Sequence, residues 1–587
     1  MANSNSEDDM DKASSDTAPC GAIPESMEWR KCDKAAIVVL AVMFSMTCLF
    51  STFDVLTPYD SWSDVSTLMA GENFAKYGFL RLHFEPVHYL ASLSETPVYY
   101  LHYPPLPEIF NGLLQSMGIK SLFAMRIVSG LFFLAGLFLL YRALGCISSP
   151  LAALCGITFL GTSAYFIAYS TSIHTHAYNT FFLGAYLCLF IRLIDKRLQG
   201  GKPWILCWLI LFVASLTSFE FILYMQVFSW MYVLAAGKLR KYWLILMCLG
   251  LAPVTGVTLR VIQNLWAAGW HFAASDALGV VKYHPGLGIE RLAATIKIPS
   301  IVSRYSAMLF HLTWPCFALL TVLICFIRKS ISRRMEQYCG PFLLAVLAAS
   351  ASWYLFLPTH ASLHLHTANQ LLVLVVFVMG CTFSVGLRLI TCRKSGFVIR
   401  ILVALVLLAV LLEHGYEIKN FLSRKPGNPY RVARVVGPDA LPRNASYLCS
   451  PEFRGPYTSY FLKRALWDCS LDDLRNEHFL QTRQEATSQD EPIRYFLFYH
   501  EGDYLKDELF IKLASSSYGK QKLFQGPAPN TSCCLILFDI SEMITPHVPT
   551  ETLPDHVASE QLKGLFPQWE IPGFEERFVC EFAERTF

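Results

Sequence analysis

Apolar runs long enough to cross a bilayer, separated by polar connections, are the dominant pattern along this chain. The first covers about residues 35–53. Others near 122–142, 150–169, 177–194, 242–260, 306–327, 340–357, 367–387 and 397–414 would each, as a helix, span the ~30 Å hydrocarbon core. The stretch Pro203–Ala236 is too long for one crossing and just long enough for two short ones, hinged near Ser218, Phe219 and Glu220. The pattern therefore predicts a polytopic α-helical membrane protein with about eleven transmembrane helices. Residues 1–34, rich in Ser, Asp and Ala, predict a disordered tail. The first apolar run begins too far in and lacks a small-residue cleavage site, so it is read as a retained helix and not a cleaved signal.

Basic residues set the orientation. They collect as Arg30-Lys31-Lys34, Lys196-Arg197-Lys202, Lys238-Arg240-Lys241, Arg328-Lys329-Arg333-Arg334 and Arg388-Arg393-Lys394, in every second connection. Placing these clusters on one face puts the N-terminus in the cytoplasm and the chain beyond about residue 415 outside. All 16 histidines then fall in outward loops, at outward helix ends or in the C-terminal part. The organisation expected is a cytoplasmic tail (1–34), a transmembrane domain (35–415) with outward loops 54–121 and 261–305, and an extracytoplasmic domain (416–587). In the last, 494–499 and 534–538 read as buried strands and 505–515 as a helix, which predicts a small α/β domain. Asn444-Ala-Ser446 and Asn530-Thr-Ser532 match the N-glycosylation pattern and count only if the cell is eukaryotic.

Composition agrees with the pattern and removes some function classes. Only 16% of residues are charged against 54% hydrophobic, far below the charge of a soluble protein. The 48 basic and 45 acidic side chains nearly cancel, so a nucleic-acid partner is excluded. Eighteen cysteines form no CxxC or Cys/His ladder, and most sit in apolar runs, where cysteine behaves as a small hydrophobe.

Candidate chemistry gathers in the first outward loop. Asp54, Asp60 and Asp64 follow the first helix among aromatic residues, where scarce water suits a carboxylate to general-base work. The structural alternative is that they solvate the loop and cap a helix over 65–77, a role that Asp64 fits as N-cap. Farther on, Tyr99–Phe110 is a proline-stiffened turn carrying His102, Tyr103 and Glu108 back toward the membrane. It could equally be a packed re-entry segment. Glu220, at a membrane hinge, is costly unless it faces water or a partner, so its default reading is functional. His174 and His176 form an HxH pair that either faces one ion or caps the helix that follows.

An aspartate just outside the first transmembrane helix, the helix Ala70–Gly78 and the His-x-Pro-Pro-Leu turn His102–Leu106 resemble the GT-C superfamily of integral-membrane glycosyltransferases. The branch is the protein O-mannosyltransferase and aminoarabinose-transferase-like group. The motifs cover roughly residues 35–240, and the remainder is similar in architecture alone. The resemblance implies a catalytic aspartate in the first outward loop, matched by position to Asp60 with Asp64 as its rival. It implies a polyprenyl- or dolichyl-phosphate sugar as donor, entering from the bilayer, and a protein, lipid or glycan acceptor arriving from outside. Two departures stand out. Asp60 and Asp64 are not adjacent, and Leu216-Thr-Ser-Phe-Glu220 carries a carboxylate where relatives often carry lysine after a Leu-Thr pair.

The chemistry suits these residue types. A phosphate leaves as a stable anion, so one base suffices, unlike the two carboxylates of glycoside hydrolysis. Cationic groups would hold the departing phosphate. Arg260, Lys282, Arg291, Lys297 and Arg304 are the outward candidates, with Arg260 and Arg304 closest to helix ends, although each alone also fits an interfacial snorkelling role. A divalent cation bridging the phosphate would use a carboxylate and a histidine, such as Glu108 with His174; no other cofactor is implied. Competing readings are a transporter or flippase of a polar lipid, which should carry its charge at midplane, and a polysaccharide ligase or polymerase. The expectation is a multi-pass glycosyltransferase in the bacterial inner membrane or the endoplasmic reticulum.

Overall fold

The computed structural model describes residues 25–53, 61–87, 99–283 apart from 102, 196 and 197, 333–356, 369–391, scattered positions between 397 and 420, and, toward the C-terminus, 428–442, 446–450, 462, 466–469, 473, 493–501, 507–516, 519–525 and 533–540. The chain divides into two compact units. One takes residues 1–52, 122–258 and 279–421; the other takes 53–121, 259–278 and 422–587.

The first unit is helical. It contains α1 (Glu25–Ser51), α4 (Leu122–Ile147), α5 (Pro150–Gly161), α6 (Ala164–Ser170), α7 (Thr175–Ile194), α8 (Gly201–Ser215), α9 (Phe219–Ala235), the first part of α10 (Leu239–Tyr283), α11 (Arg333–Phe356) and α12 (Leu372–Thr391). Among the described residues six helices are long and apolar enough to cross a membrane, or seven if the pair α5 and α6, bent by 75°, is one span. The expected hinge in 203–236 is present: two short apolar helices, α8 and α9, flank a turn at 216–218. The expected span 306–327 lies outside the described residues, as does most of 397–414.

Outward-facing apolar side chains recur at helical spacing. Ile37, Val38, Val42 and Leu49 on α1, and Trp243, Leu244, Met247, Leu251 and Val254 on α10, are all exposed. Stripes of this size would aggregate in water and are at home against acyl chains. Inside the unit, helices approach closely at small residues. On α7, a methyl placed on Gly184 would run into the backbone carbonyl of Gly136 on α4, and the same holds in the other direction for Gly136 against Thr180. With no apolar–water contrast to drive association in lipid, such close packing is a main source of helix–helix affinity. Charged groups pair near the start of α1 and the end of α4, where Arg142 meets Asp33 at 2.9 Å, Tyr141 donates to Asp33 at 2.9 Å, and Arg142 lies 4.6 Å from the Trp29 ring centre.

The second unit holds a small helical assembly and a sheet. Helices α2 (Ser61–Tyr77) and α3 (Leu106–Ser116) pack against one another. Toward the C-terminus come α13 (Asn428–Val436), β1 (Ser446–Cys449), β2 (Leu466–Asp468), β3 (Ile493–Glu501), α14 (Glu508–Ser516), β4 (Gly519–Gln525) and β5 (Cys533–Asp539). The strands form a five-stranded mixed sheet in the order β2-β1-β3-β5-β4, with β1 parallel to β2 and β3, and β5 antiparallel to β3 and β4. Because side chains alternate across a strand, each face gathers its own apolar cluster. Tyr447, Cys449, Leu497, Tyr499, Leu535 and Leu537 pack with Val432 and Ala433 of α13. Leu448, Phe496, Phe498, Ile536 and Phe538 pack with Phe510 and Leu513 of α14. Helices therefore cover both faces, which is why the strands at 494–499 and 534–538 read as unbroken apolar runs. Cys449 and Cys469 are neighbours in sequence register, yet they belong to clusters on opposite faces of the sheet. Asn444 and Asn530 lie outside the described residues.

Candidate active site

Among the described residues, the segment after α1 forms a helical hairpin with a docked turn. α2 runs from Ser61, so Asp64 is the fourth residue of its first turn and not the N-cap expected from a helix starting at 65. The helix begins four residues earlier, and a carboxylate in its first turn is favoured by the helix dipole. Asp64 is buried, in a run of buried residues from Asp64 to Ala70. Gln115 of α3 donates from Nε2 to the Leu68 carbonyl at 3.1 Å, and Asn73 of α2 donates from Nδ2 to the Val87 carbonyl at 2.7 Å. Together these bonds fix the hairpin and the chain that leaves it. Glu108 is the acidic residue in the first turn of α3 and is buried, while Tyr103 precedes the helix, its ring stacked near that of Tyr100 at 6.5 Å between centres. Asp54, Asp60 and His102 lie outside the described residues.

The turn after α2 carries two side chains in the left-handed region, His83 (φ 53°) and Phe84 (φ 60°). A bulky residue there is strained by about 1–3 kcal/mol and persists only when its surroundings hold it. They do. The next residue, Glu85, is fully buried and accepts from Arg260 of α10, whose Nη1 lies 2.6 Å from both carboxylate oxygens. Arg260 Nη2 is 3.4 Å from the Tyr100 carbonyl, Gln263 Nε2 donates to the Phe84 carbonyl at 2.7 Å, and Asn264 Nδ2 donates to the Leu101 carbonyl at 3.3 Å. His83 packs edge-on to Trp266, 4.8 Å between ring centres, and its Nδ1 lies 3.1 Å from the Tyr99 hydroxyl. Burial, with the Glu85 carboxylate as a second cause, raises the Tyr99 phenol above its ordinary pKa. One face of α10 thus holds both strands of the loop, at 83–85 and at 99–101.

Other candidate residues belong to the helical unit. Glu220 occupies the first turn of α9, buried, with Tyr165 of α6 within electrostatic reach. His174 is the N-cap residue of α7 and makes no side-chain capping bond there. His176, buried in the first turn, receives a hydrogen bond at Nδ1 from the Asn369 side-chain amide at 2.8 Å and packs on Tyr169 at 4.5 Å between ring centres. The two imidazole centres are 6.1 Å apart. Among the described residues, no group of three or more His, Cys, Asp or Glu is placed to hold a metal ion. Arg304, Lys297 and Arg291 lie outside the described residues.

Two residues with a claim on function escape the sequence pattern. Glu85 sits in a mixed polar segment with nothing to mark it, and its only local signal is the proline that follows. Arg126 is buried at the start of the second turn of α4, and a charge inside an apolar helix is itself the signal.

No family profile and no curated protein sequence matches the chain. Solved structures do. The oligosaccharyltransferase of Archaeoglobus fulgidus in its apo form aligns over 82% of this chain and 71% of its own, with a TM-score of 0.50 and 10% identity. The same archaeal enzyme, AglB, in complex with an inhibitory peptide and a dolichol-phosphate, gives 0.50 and 10% over 79% and 69%. ArnT from Cupriavidus metallidurans, bound to undecaprenyl phosphate, covers 87% of this chain and 99% of its own at a TM-score of 0.50 and 12% identity. Both are GT-C glycosyltransferases. This chain has the GT-C fold. At such identities the likeness is one of architecture, and residue roles are argued from the chain itself.

Proposed function

We propose that this protein is a membrane-bound glycosyltransferase that moves a sugar from a polyprenyl- or dolichyl-phosphate to a hydroxyl of a protein, lipid or glycan on the outer or luminal face. The observation that carries the reading is the GT-C fold combined with a buried, packed acid-bearing hairpin, α2 and α3, directly after the first apolar helix. Support for the donor class comes from the neighbours, one structure holding dolichol-phosphate and another undecaprenyl phosphate.

In this reading a carboxylate of the first loop, Asp60 or Asp64, accepts the proton of the acceptor hydroxyl. The acceptor oxygen bonds to the anomeric carbon as its bond to the phosphate oxygen breaks, and that electron pair leaves with the lipid phosphate. Burial suits Asp64 to this work, since a site closed to water keeps competing hydrolysis out. Eleven spans, a cytoplasmic N-terminus and an exported sheet-bearing C-terminal domain that orients the acceptor complete the proposal. Glu108, Tyr103, His102 and Glu220 are assigned to substrate binding, and Arg304 to the donor phosphate. A divalent ion, if used, would involve His174 and His176.

The test is transfer in vitro from a panel of polyprenyl-phosphate sugars, comparing wild type with Asp60→Asn and Asp64→Asn. Loss of about 10²–10⁴-fold in one variant at preserved expression identifies the base. Full activity in both removes the mechanism, and uptake of label into vesicles without a new glycosidic bond replaces it with transport.

A further inference from the structure

Arg260 was a natural candidate for gripping the donor phosphate, but its guanidinium is committed elsewhere. We infer that Arg260 and Glu85 are positioning residues: a buried ion pair that latches the first outward loop onto α10 and so sets where the Tyr99–Phe110 turn presents its side chains. The inference rests on the glycosyltransferase reading for its kinetic part, though the latch itself does not.

Four observations converge. The pair is sealed, with Arg260 3% and Glu85 0% exposed, so neither charge has water to fall back on. Removing one member of a buried ion pair is strongly destabilising, which makes the pair a firm latch. The pair joins residues 175 positions apart, and it does so at a strained point, immediately after the left-handed His83 and Phe84. Backbone carbonyls on both sides of the loop, Phe84, Tyr100 and Leu101, accept bonds from the same helical turn of α10 through Gln263, Arg260 and Asn264. Lastly, the clamped carbonyl of Leu101 lies directly before His102 and Tyr103, so displacement at 101 is displacement of the turn. A phosphate ligand would need an arginine that is accessible or weakly held, and Arg260 is neither.

The experiment uses the full chain in nanodiscs, with Glu85→Gln, Arg260→Met, the double variant, and Arg260→Lys as a conservative control. Hydrogen exchange is read over 83–87 and 99–105, which reports on the latch whether or not the protein transfers sugar. Each single variant is expected to speed exchange in both segments by at least about tenfold, the scale set by an unpaired buried charge, while 175–194 stays as in wild type. The double variant should be no worse than either single one, since the two residues act as a unit. In the transfer assay all three should lower kcat and leave KM for the donor within about twofold, as expected for lost positioning and not lost ground-state binding; Arg260→Lys should fall between. Should the single variants fail to express, the neutral double variant, which buries no lone charge, carries the same exchange and kinetic readouts. The inference is overturned if exchange at 83–87 and 99–105 is unchanged, or if Arg260→Met raises donor KM strongly while Glu85→Gln does not lower kcat. Absence of transferase activity in wild type, with the exchange result intact, would count against the reaction and not against the latch.

Discussion

Asp64 shows how much a single residue's role depends on where its helix starts. As an N-cap its oxygen would be spent on backbone N–H groups; as the fourth residue of α2 it sits inside the first turn, buried, with the helix dipole behind it. The place of Asp64 within α2 was not legible, since helix boundaries follow packing that the local sequence does not record. Glu220 stands out in the sequence because a carboxylate between two short apolar helices is expensive, and the structure places it buried in the first turn of α9. Replacing it by Gln keeps volume and removes charge. Glu220→Gln should preserve expression and detergent melting while lowering transfer by at least about tenfold, the cost of losing a charged hydrogen-bonding group; activity equal to wild type would return Glu220 to a structural role. Glu85 could not have been found this way, because its partner lies far along the chain and ion pairing across such a distance leaves no periodicity.

At the level of elements, hydropathy located the helices well and their breaks less well. The hinge between α8 and α9 followed from length alone, but the 75° bend between α5 and α6 did not, since 150–169 reads as one continuous apolar run. The break falls at Thr162 and Ser163, where each hydroxyl donates to a carbonyl three residues back, Phe159 and Leu160, and Ser163 also caps α6 through the Phe166 N–H. Such local side-chain bonds compete with the helical ladder and need no proline. Contacts between elements are set by small residues. Gly184→Ala would push a methyl group into the Gly136 carbonyl and should cost about 1–3 kcal/mol, typical of overpacking. Gly201→Ala, with nothing near its added carbon, should cost nothing measurable. Thermal melting of the two variants in one detergent checks the contrast, and equal melting would mean that α4 and α7 do not approach as described.

For the molecule as a whole, membrane class and architecture were written in the proportion and spacing of apolar residues, and the GT-C resemblance drawn from the first loop is matched by the solved structures. Two strands of the mixed sheet toward the C-terminus, β3 and β5, were legible as buried runs because both faces of the sheet are covered by helices, whereas β1, β2 and β4 were not. Strand order was not legible, because nothing in a strand names its neighbour. The basic connections predict a cytoplasmic N-terminus, and that expectation has its own test. A protease added to sealed right-side-out vesicles should remove a tag at the C-terminus and spare one at the N-terminus; the reverse outcome would move the whole candidate site to the cytosol.

Cys449 and Cys469 bring a last consequence. Held back to back by the sheet, each thiol is enclosed by its own apolar layer, so an oxidising lumen could not join them without tearing the strands apart. Folding of this part of the chain therefore makes no use of a bond between these two sulfurs.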